Sequence, residues 1–214
     1  MKPVHVTDSV QRYMEDLLAP RSEVLARLER EAEAEGLPIV GPHEGMLLYM
    51  LVRLSGARRL LELGAATGYS GLWLLRGAPD GHLTTFELDP ARAARARENI
   101  AAAGCAERAD VRQEDAVAGV EALDGEYDLC FIDLLNSFGS EEVTERVFTA
   151  CLHRLTPGGL LVADNALRQG EVVHPGSQQA RNVARYNELV ARTARLESVI
   201  IPLRDGVSVA RLAR

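Results

Sequence analysis

From Arg59 onward, short apolar runs alternate with longer stretches whose apolar positions recur at helical spacing. The runs Arg59–Leu63, His82–Glu87, Ala109–Gln113, Tyr127–Ile132 and Gly159–Ala163 predict strands. Helices are predicted between them: one beginning near Tyr69, then Pro90–Ala103, Ser140–Arg154 and Gln178–Arg195. The segments Ser198–Pro202 and Gly206–Leu212 read as two strands joined by the turn Arg204-Asp205-Gly206. Alternating β and α units imply an α/β fold, a doubly wound and mostly parallel seven-stranded sheet with helices on both faces. The terminal hairpin brings the antiparallel part. Ahead of this region, Val4–Gly36 predicts two helices broken near Pro20, the second spanning Arg21–Glu35 and stopped by Gly36. A third helix is predicted over His43–Ser55, with Met46, Leu47, Met50, Leu51 and Leu54 facing the core.

The chain of 214 residues suits one domain, with residues 1–56 as extra N-terminal helices on the same fold. A net charge of −7 argues against general affinity for nucleic acid or an anionic membrane, since neutralising phosphate needs a basic face. Cys105, Cys130 and Cys151 are odd in number and lack C-x-x-C spacing, so neither a disulfide framework nor a zinc site is expected. The first residues lack a signal peptide's apolar run, and no window is long and apolar enough for a membrane span. These features point to the reducing cytoplasm.

The sharpest motif is Leu61-Glu-Leu-Gly-Ala-Ala-Thr-Gly-Tyr-Ser70, at the carboxyl end of the first strand, where open α/β sheets bind ligands. Gly64 and Gly68 permit a tight turn and close approach of backbone to ligand. Their G-x-x-x-G spacing is not the dinucleotide fingerprint, which argues against a nicotinamide dehydrogenase, and the motif has no phosphate-loop Lys-Ser/Thr ending. Glu87, at the end of the second strand, offers a carboxylate to both hydroxyls of a ribose, and Glu114-Asp-Ala116 ends the third strand where an adenine would lie. Two more strand tips carry Asp133 and the pair Asp164-Asn165. Neighbouring parallel strands lie ~5 Å apart, so these oxygens can converge on a hard octahedral cation such as Mg²⁺; helix or turn capping is the plainer reading of the same residues.

The order of these motifs, from Pro42-His-Glu-Gly45 to Asp205-Gly206, resembles the class I S-adenosylmethionine-dependent methyltransferases. Within them the chain looks most like the cation-dependent O-methyltransferases typified by catechol and caffeoyl-CoA O-methyltransferases. The resemblance implies a Rossmann-like methyltransferase fold and methylation of an oxygen of a small, aromatic acceptor, with the N-terminal helices shaping the acceptor site in a homodimer. It implies that Glu62, Gly64, Tyr69 and Ser70 line the methionine end of S-adenosylmethionine, that Glu87 holds the ribose, and that Asp115 and Ala116 meet the adenine. Asp133, Asp164 and Asn165 would hold Mg²⁺ or another divalent cation, with Asp133 also beside the cofactor. A bound cation favours the phenolate and fixes it, and two adjacent oxygens chelate it, which makes a catechol the natural substrate.

Asn136 stands where the family carries a lysine base, and an amide cannot take a proton at useful pH. The family's Trp after the Asp-Asn pair is also missing, since Ala166-Leu-Arg168 follows. Asn136 is then expected to orient the acceptor. His174, in Val172-Val-His-Pro175, is the best substitute base by position, and His43 a weaker one. Two other functions share the pattern: a tRNA methyltransferase, which the acidity disfavours, and a cofactor-binding protein whose catalysis is weakened at Asn136.

Overall fold

Five apolar runs, Arg59–Leu63 (β1), His82–Phe86 (β2), Ala109–Arg112 (β3), Tyr127–Ile132 (β4) and Leu155–Ala163 (β5), pair in parallel in a computed structural model that describes residues 6–214. Val207–Leu212 (β7) pairs antiparallel with β5, and Leu196–Ile201 (β6) pairs antiparallel with β7. The strand order is β3-β2-β1-β4-β5-β7-β6, so the winding reverses between β1 and β4. That reversal opens a crevice at the carboxyl ends of the strands, the usual ligand position in such sheets.

The helices are Asp8–Asp16 (α1), Glu23–Glu35 (α2), Gly41–Ser55 (α3), Tyr69–Gly77 (α4), Pro90–Ala102 (α5), Ala116–Ala122 (α6), Glu141–Arg154 (α7) and Gln178–Arg192 (α8). Side-chain oxygens cap six of them: Thr7, Ser22, Asp89, Asp115, Ser140 and Ser177 each accept from a backbone N–H of the first turn. One face of the sheet buries Leu60, Leu83, Leu129, Phe131 and Val162 against α3 and α4, including Leu48, Trp73 and Leu74. The other buries Leu61, Phe86, Cys130 and Leu161 with Phe148, Val183 and Tyr186. Among the described residues no helix is long and apolar enough to cross a membrane.

The predicted α/β fold is the observed one, with several local corrections. Val4 lies outside the described residues. The break near Pro20 is a true helix boundary, between α1 and α2. The core face of α3 is Glu44, Gly45, Leu48 and Val52, whereas Met50 and Leu54 are exposed and Met46, Leu47 and Leu51 only partly covered. Nearly every position from Met46 to Leu54 is apolar, so spacing alone could not select a face. Strand β5 starts at Leu155 rather than Gly159, because Leu155 already pairs with Tyr127 and the register then shifts past Pro157. Helix α8 stops at Arg192, and β6 runs two residues earlier than expected, starting at Leu196.

Candidate active site

The sheet register aligns the site. Leu63 pairs with Phe86 on one side and Ile132 on the other, and Ile132 pairs with Ala163. The next residue on each strand is therefore Gly64, Glu87, Asp133 or Asp164, four groups in a row along the carboxyl edge. Backbone bonds extend the ladder to them: Gly64 N–H donates to Phe86 O (3.1 Å), Asp133 N–H to Leu63 O (3.0 Å) and Asp164 N–H to Ile132 O (3.1 Å).

After β1 the chain turns at Gly64, whose φ of 103° is left-handed and whose Cβ, if present, would lie 3.1 Å from Asp133 O. Gly68, with φ of 84°, opens α4 against the backbone of Ala96. Between them Ala66 is left-handed without being glycine (φ 44°), and its N–H donates to Glu87 Oε2 at 2.9 Å. The other Glu87 oxygen accepts from Asp89 N–H at 2.9 Å. Beside this turn is a cavity of about 450 Å³ lined by Gly64, Phe86, Glu87, Leu88, Asp115, Ala116 and Phe138. Its walls are mostly apolar with a few polar groups, as suits a nucleoside.

The predicted cofactor residues divide into two groups. Gly64, Glu87, Asp115 and Ala116 line this cavity, although Asp115 also caps α6 by accepting from Ala118 N–H at 2.9 Å. Glu62, Tyr69 and Ser70 are buried beneath the turn. Glu62 accepts from Thr85 Oγ1 at 2.6 Å, and among the described residues its Oε1 has no hydrogen-bond partner. Burial pushes its carboxyl up to about 7, against the hydrogen bonds from Ser70 and Thr85. The Tyr69 hydroxyl is committed to α2, donating to Glu29 Oε1 at 2.8 Å.

The acidic pair at the tips of β4 and β5 is held above the ordinary carboxylate range. Withdrawal from water raises Asp133 and Asp164, and the charge of Asp164 raises Asp133 further. Asn165 follows in a left-handed conformation (φ 59°), its N–H on Asp164 Oδ1 at 2.6 Å. Asn136 lies on the loop after β4, its amide oxygen buried and without a hydrogen-bond partner among the described residues. Among the described residues no three His, Cys, Asp or Glu side chains form a metal cluster. The donors at these tips are two carboxyls and an amide.

Helix α8 steadies both tip loops. Asn182, fully buried, donates to Phe138 O at 2.6 Å, and Asn187 donates to Ala166 O at 2.7 Å. The loop after β5 is also tied to the β6–β7 turn, where Asp205 Oδ1 accepts from Gln169 N–H at 2.5 Å and Gly206 O from Ala166 N–H at 2.8 Å. His174 is exposed at the end of the 3₁₀ segment Arg168–Val173. His43 on α3 is 4.0 Å from Glu15, and its other ring nitrogen is buried with no hydrogen-bond partner among the described residues.

Two charged residues of the site carried no role in the sequence reading. Glu44 on α3 is fully buried, and burial together with Asp164 pushes its carboxyl up to about 9. Arg204 in the β6–β7 turn approaches it, Nη1 to Oε2 at 3.3 Å. The pair spans 160 residues of sequence. The motif Pro42-His-Glu-Gly45 and the turn Arg204-Asp205-Gly206 were visible, but not that they meet.

A seven-stranded sheet of this order, with a nucleoside-sized cavity at its reversal, defines the class: a methyltransferase fold that takes S-adenosylmethionine. Solved structures agree. The O-methyltransferase TomG of Streptomyces achromogenes, involved in tomaymycin synthesis and solved with S-adenosylmethionine, superposes with a TM-score of 0.83 at 29% identity, covering 96% of each chain. The Bacillus cereus O-methyltransferase, solved with S-adenosylhomocysteine, gives 0.84 at 28% identity over 95% of this chain and 97% of that one. In sequence, a catechol O-methyltransferase of Niastella koreensis is 31% identical over 219 aligned positions, 96% of this chain and 97% of the relative. The O-methyltransferase family profile matches residues 15–213, and the chain belongs to that family. It is an S-adenosylmethionine-dependent O-methyltransferase.

Proposed function

We propose that the acceptor is a small catechol or related phenol and that transfer depends on a divalent cation, Mg²⁺ or a close equivalent, held by Asp133, Asp164 and Asn165. The observation that carries this reading is the acidic pair on adjacent strand tips, each member kept out of water and Asp133 further raised by its neighbour. Glu44, Asp133 and Asp164 stand together against one guanidinium, Arg204, which leaves two negative charges uncompensated when all ionise. A doubly charged cation suits that balance, and oxygen donors suit a hard ion. The name of the Niastella koreensis relative supports the substrate class. When bound, the cation favours the ionised form of an acceptor hydroxyl and fixes its position.

In this reading Glu87 holds the ribose, Asp115 and Ala116 flank the adenine, and Glu62, Gly64, Tyr69 and Ser70 line the methionine end. The acceptor oxygen forms a bond to the methyl carbon as the carbon–sulfur bond breaks, and the hydroxyl proton leaves to solvent or a base. Asn136 orients the hydroxyl, and His174 is the candidate base. The N-terminal helices within residues 1–56 shape the acceptor site, in a cytoplasmic homodimer that acts on neither nucleic acid nor membrane.

Turnover of 3,4-dihydroxylated aromatics with methyl-labelled cofactor, in Mg²⁺ and in EDTA, tests the proposal. Methylation that stops on chelation and returns with Mg²⁺ supports it. Full activity after exhaustive chelation would refute it.

A further inference from the structure

Arg204 is held in place from three sides. Its φ of 53° puts it in a left-handed turn, closed by Gly206 N–H donating to Leu203 O at 2.8 Å. The next residue, Asp205, ties the turn to the loop after β5 through Gln169 N–H (2.5 Å) and Leu167 N–H (2.8 Å). Its guanidinium is anchored on one side by the fully buried Glu44 at 3.3 Å, and Glu44 in turn neighbours Asp164.

Arg204 also lines a cavity of about 500 Å³, distinct from the one beside Glu87. Leu37, Pro38, Ile39 and Pro42 give this cavity an apolar wall, and α1 and α2 contribute Glu15, Arg21, Glu29 and Glu33. The other lining cation is already engaged, since Arg21 Nε lies 2.9 Å from Glu29 Oε2. Among the described residues Arg204 makes one ion pair, with Glu44, and its side chain is 41% exposed. A guanidinium carries five N–H donors in a planar fork, so most of this one is free to meet a ligand.

We propose that Arg204 binds an anionic arm of the acceptor, so that this enzyme selects aromatic acceptors bearing a carboxylate on the ring or on a short side chain. The planar fork matches a carboxylate with two parallel hydrogen bonds, which an ammonium or an amide cannot do. The apolar wall beside it accepts the ring edge. Glu15 and Glu33 line the same cavity, but Glu15 faces His43 at 4.0 Å and Glu33 is exposed, where water screens it. A direct charged contact outweighs such screened repulsion. The inference rests on the small-phenol reading for the position of the reacting oxygen, not for the chemistry of Arg204.

The test compares 3,4-dihydroxybenzoate with 3,4-dihydroxybenzamide, which share the reacting hydroxyls and differ in charge. Two ratios are read with Mg²⁺ present: kcat/KM in turnover, and Kd by calorimetry on protein loaded with S-adenosylhomocysteine. The wild-type protein should favour the benzoate by about tenfold or more, the scale of a hydrogen bond to a charged group. Arg204→Gln should bring the ratio close to one, and Arg204→Lys should retain part of it. Losing the ion pair with Glu44 weakens both ligands alike and cancels in the ratio, so a merely structural role leaves it unmoved. If Arg204→Gln does not fold, a reduced ratio in Arg204→Lys carries the test. Should neither compound be methylated while calorimetry shows an Arg204-dependent preference, the phenol reading falls and the anion site stands. An equal affinity for both compounds in the wild type, or a preference that survives in Arg204→Gln, overturns the inference.

Discussion

Replacing Glu87 with Ala removes a carboxylate that holds the turn after β1 and lines the cavity proposed for the cofactor. Its two oxygens accept from Ala66 N–H and Asp89 N–H, each at 2.9 Å, and the residue lines the nucleoside-sized cavity. Ala66 is held at φ 44°, a conformation costing roughly 1–2 kcal/mol for a residue with a Cβ. The turn therefore keeps its shape partly because Glu87 grips it. A hydrogen bond to a charged group contributes about 1.5–3 kcal/mol when buried, and at this half-buried position about 1 kcal/mol is the safer figure. Losing one turn tether and the two proposed ribose contacts should weaken S-adenosylmethionine by at least about tenfold, or ~1.4 kcal/mol. Calorimetric titration measures the affinity, and thermal melting checks that the variant is folded. Glu87→Gln keeps an oxygen for Ala66 but loses the charge, and should fall between. A 2′-deoxyribose analogue separates the two roles: slackening of the turn penalises both cofactors, whereas ribose recognition penalises only the natural one. Unchanged affinity for S-adenosylmethionine in Glu87→Ala would refute the reasoning.

Asp164→Ala should cut turnover more than about a hundredfold by the same logic as chelation, because it removes both a proposed metal ligand and a charge. Cofactor affinity should change little, since Asp164 does not line the nucleoside cavity; a large loss of cofactor binding would reassign it. Burial raises Glu62 from 4.5 to about 7, so the folded state keeps its proton longer than the unfolded state. The associated stability is complete below pH 4.5 and is lost as pH rises through about 7, amounting to ~3 kcal/mol, so Glu62→Gln should flatten the fall in melting temperature over that interval in cofactor-free protein. Asn136→Ala should cost about tenfold or less in kcat, the scale of one neutral hydrogen bond. With His174 as the proposed base, His174→Ala should cost 10²-fold or more in kcat.

Much of the fold is legible in sequence because buried parallel strands announce themselves as apolar runs. Strands β1 and β4 start and end where their runs do, and each run stops at a residue of chemical interest. Gly64, Glu87, Asp133 and Asp164 were legible as tips for that reason, and parallel register then puts them in one row. What was illegible involves long-range pairing. Glu44 reads as an exposed helical residue, and only a guanidinium 160 residues away reveals why it is in the core. Asn182 and Asn187 look like surface amides of an amphipathic helix, yet they reach the carbonyls that fix the loops after β4 and β5. Tyr69 was legible as a member of the cofactor motif, but not that α2 occupies its hydroxyl.

The strained residues show how the site holds its shape. Among the described residues, the non-glycine positions with positive φ are Ala66, Asn165, Arg168, Gln169 and Arg204, and all lie in loops at the carboxyl edge of the sheet or in the β6–β7 turn beside it. Such conformations persist only where the surroundings impose them. For three of them the restraint is a carboxylate on the residue's own N–H: Glu87 for Ala66, Asp164 for Asn165 and Asp205 for Gln169. Two of those carboxylates are also the groups proposed to meet the ribose and the cation. An acid in this row thus has two parts to play, restraining the chain through a backbone N–H and, in the proposed reading, meeting a ligand through its remaining acceptor capacity. Alanine substitutions there remove shape and chemistry together, whereas Asp164→Asn keeps an oxygen for the Asn165 N–H while losing the charge. The difference between the amide and alanine variants therefore isolates the backbone restraint, and the loss the amide variant still shows measures the charge.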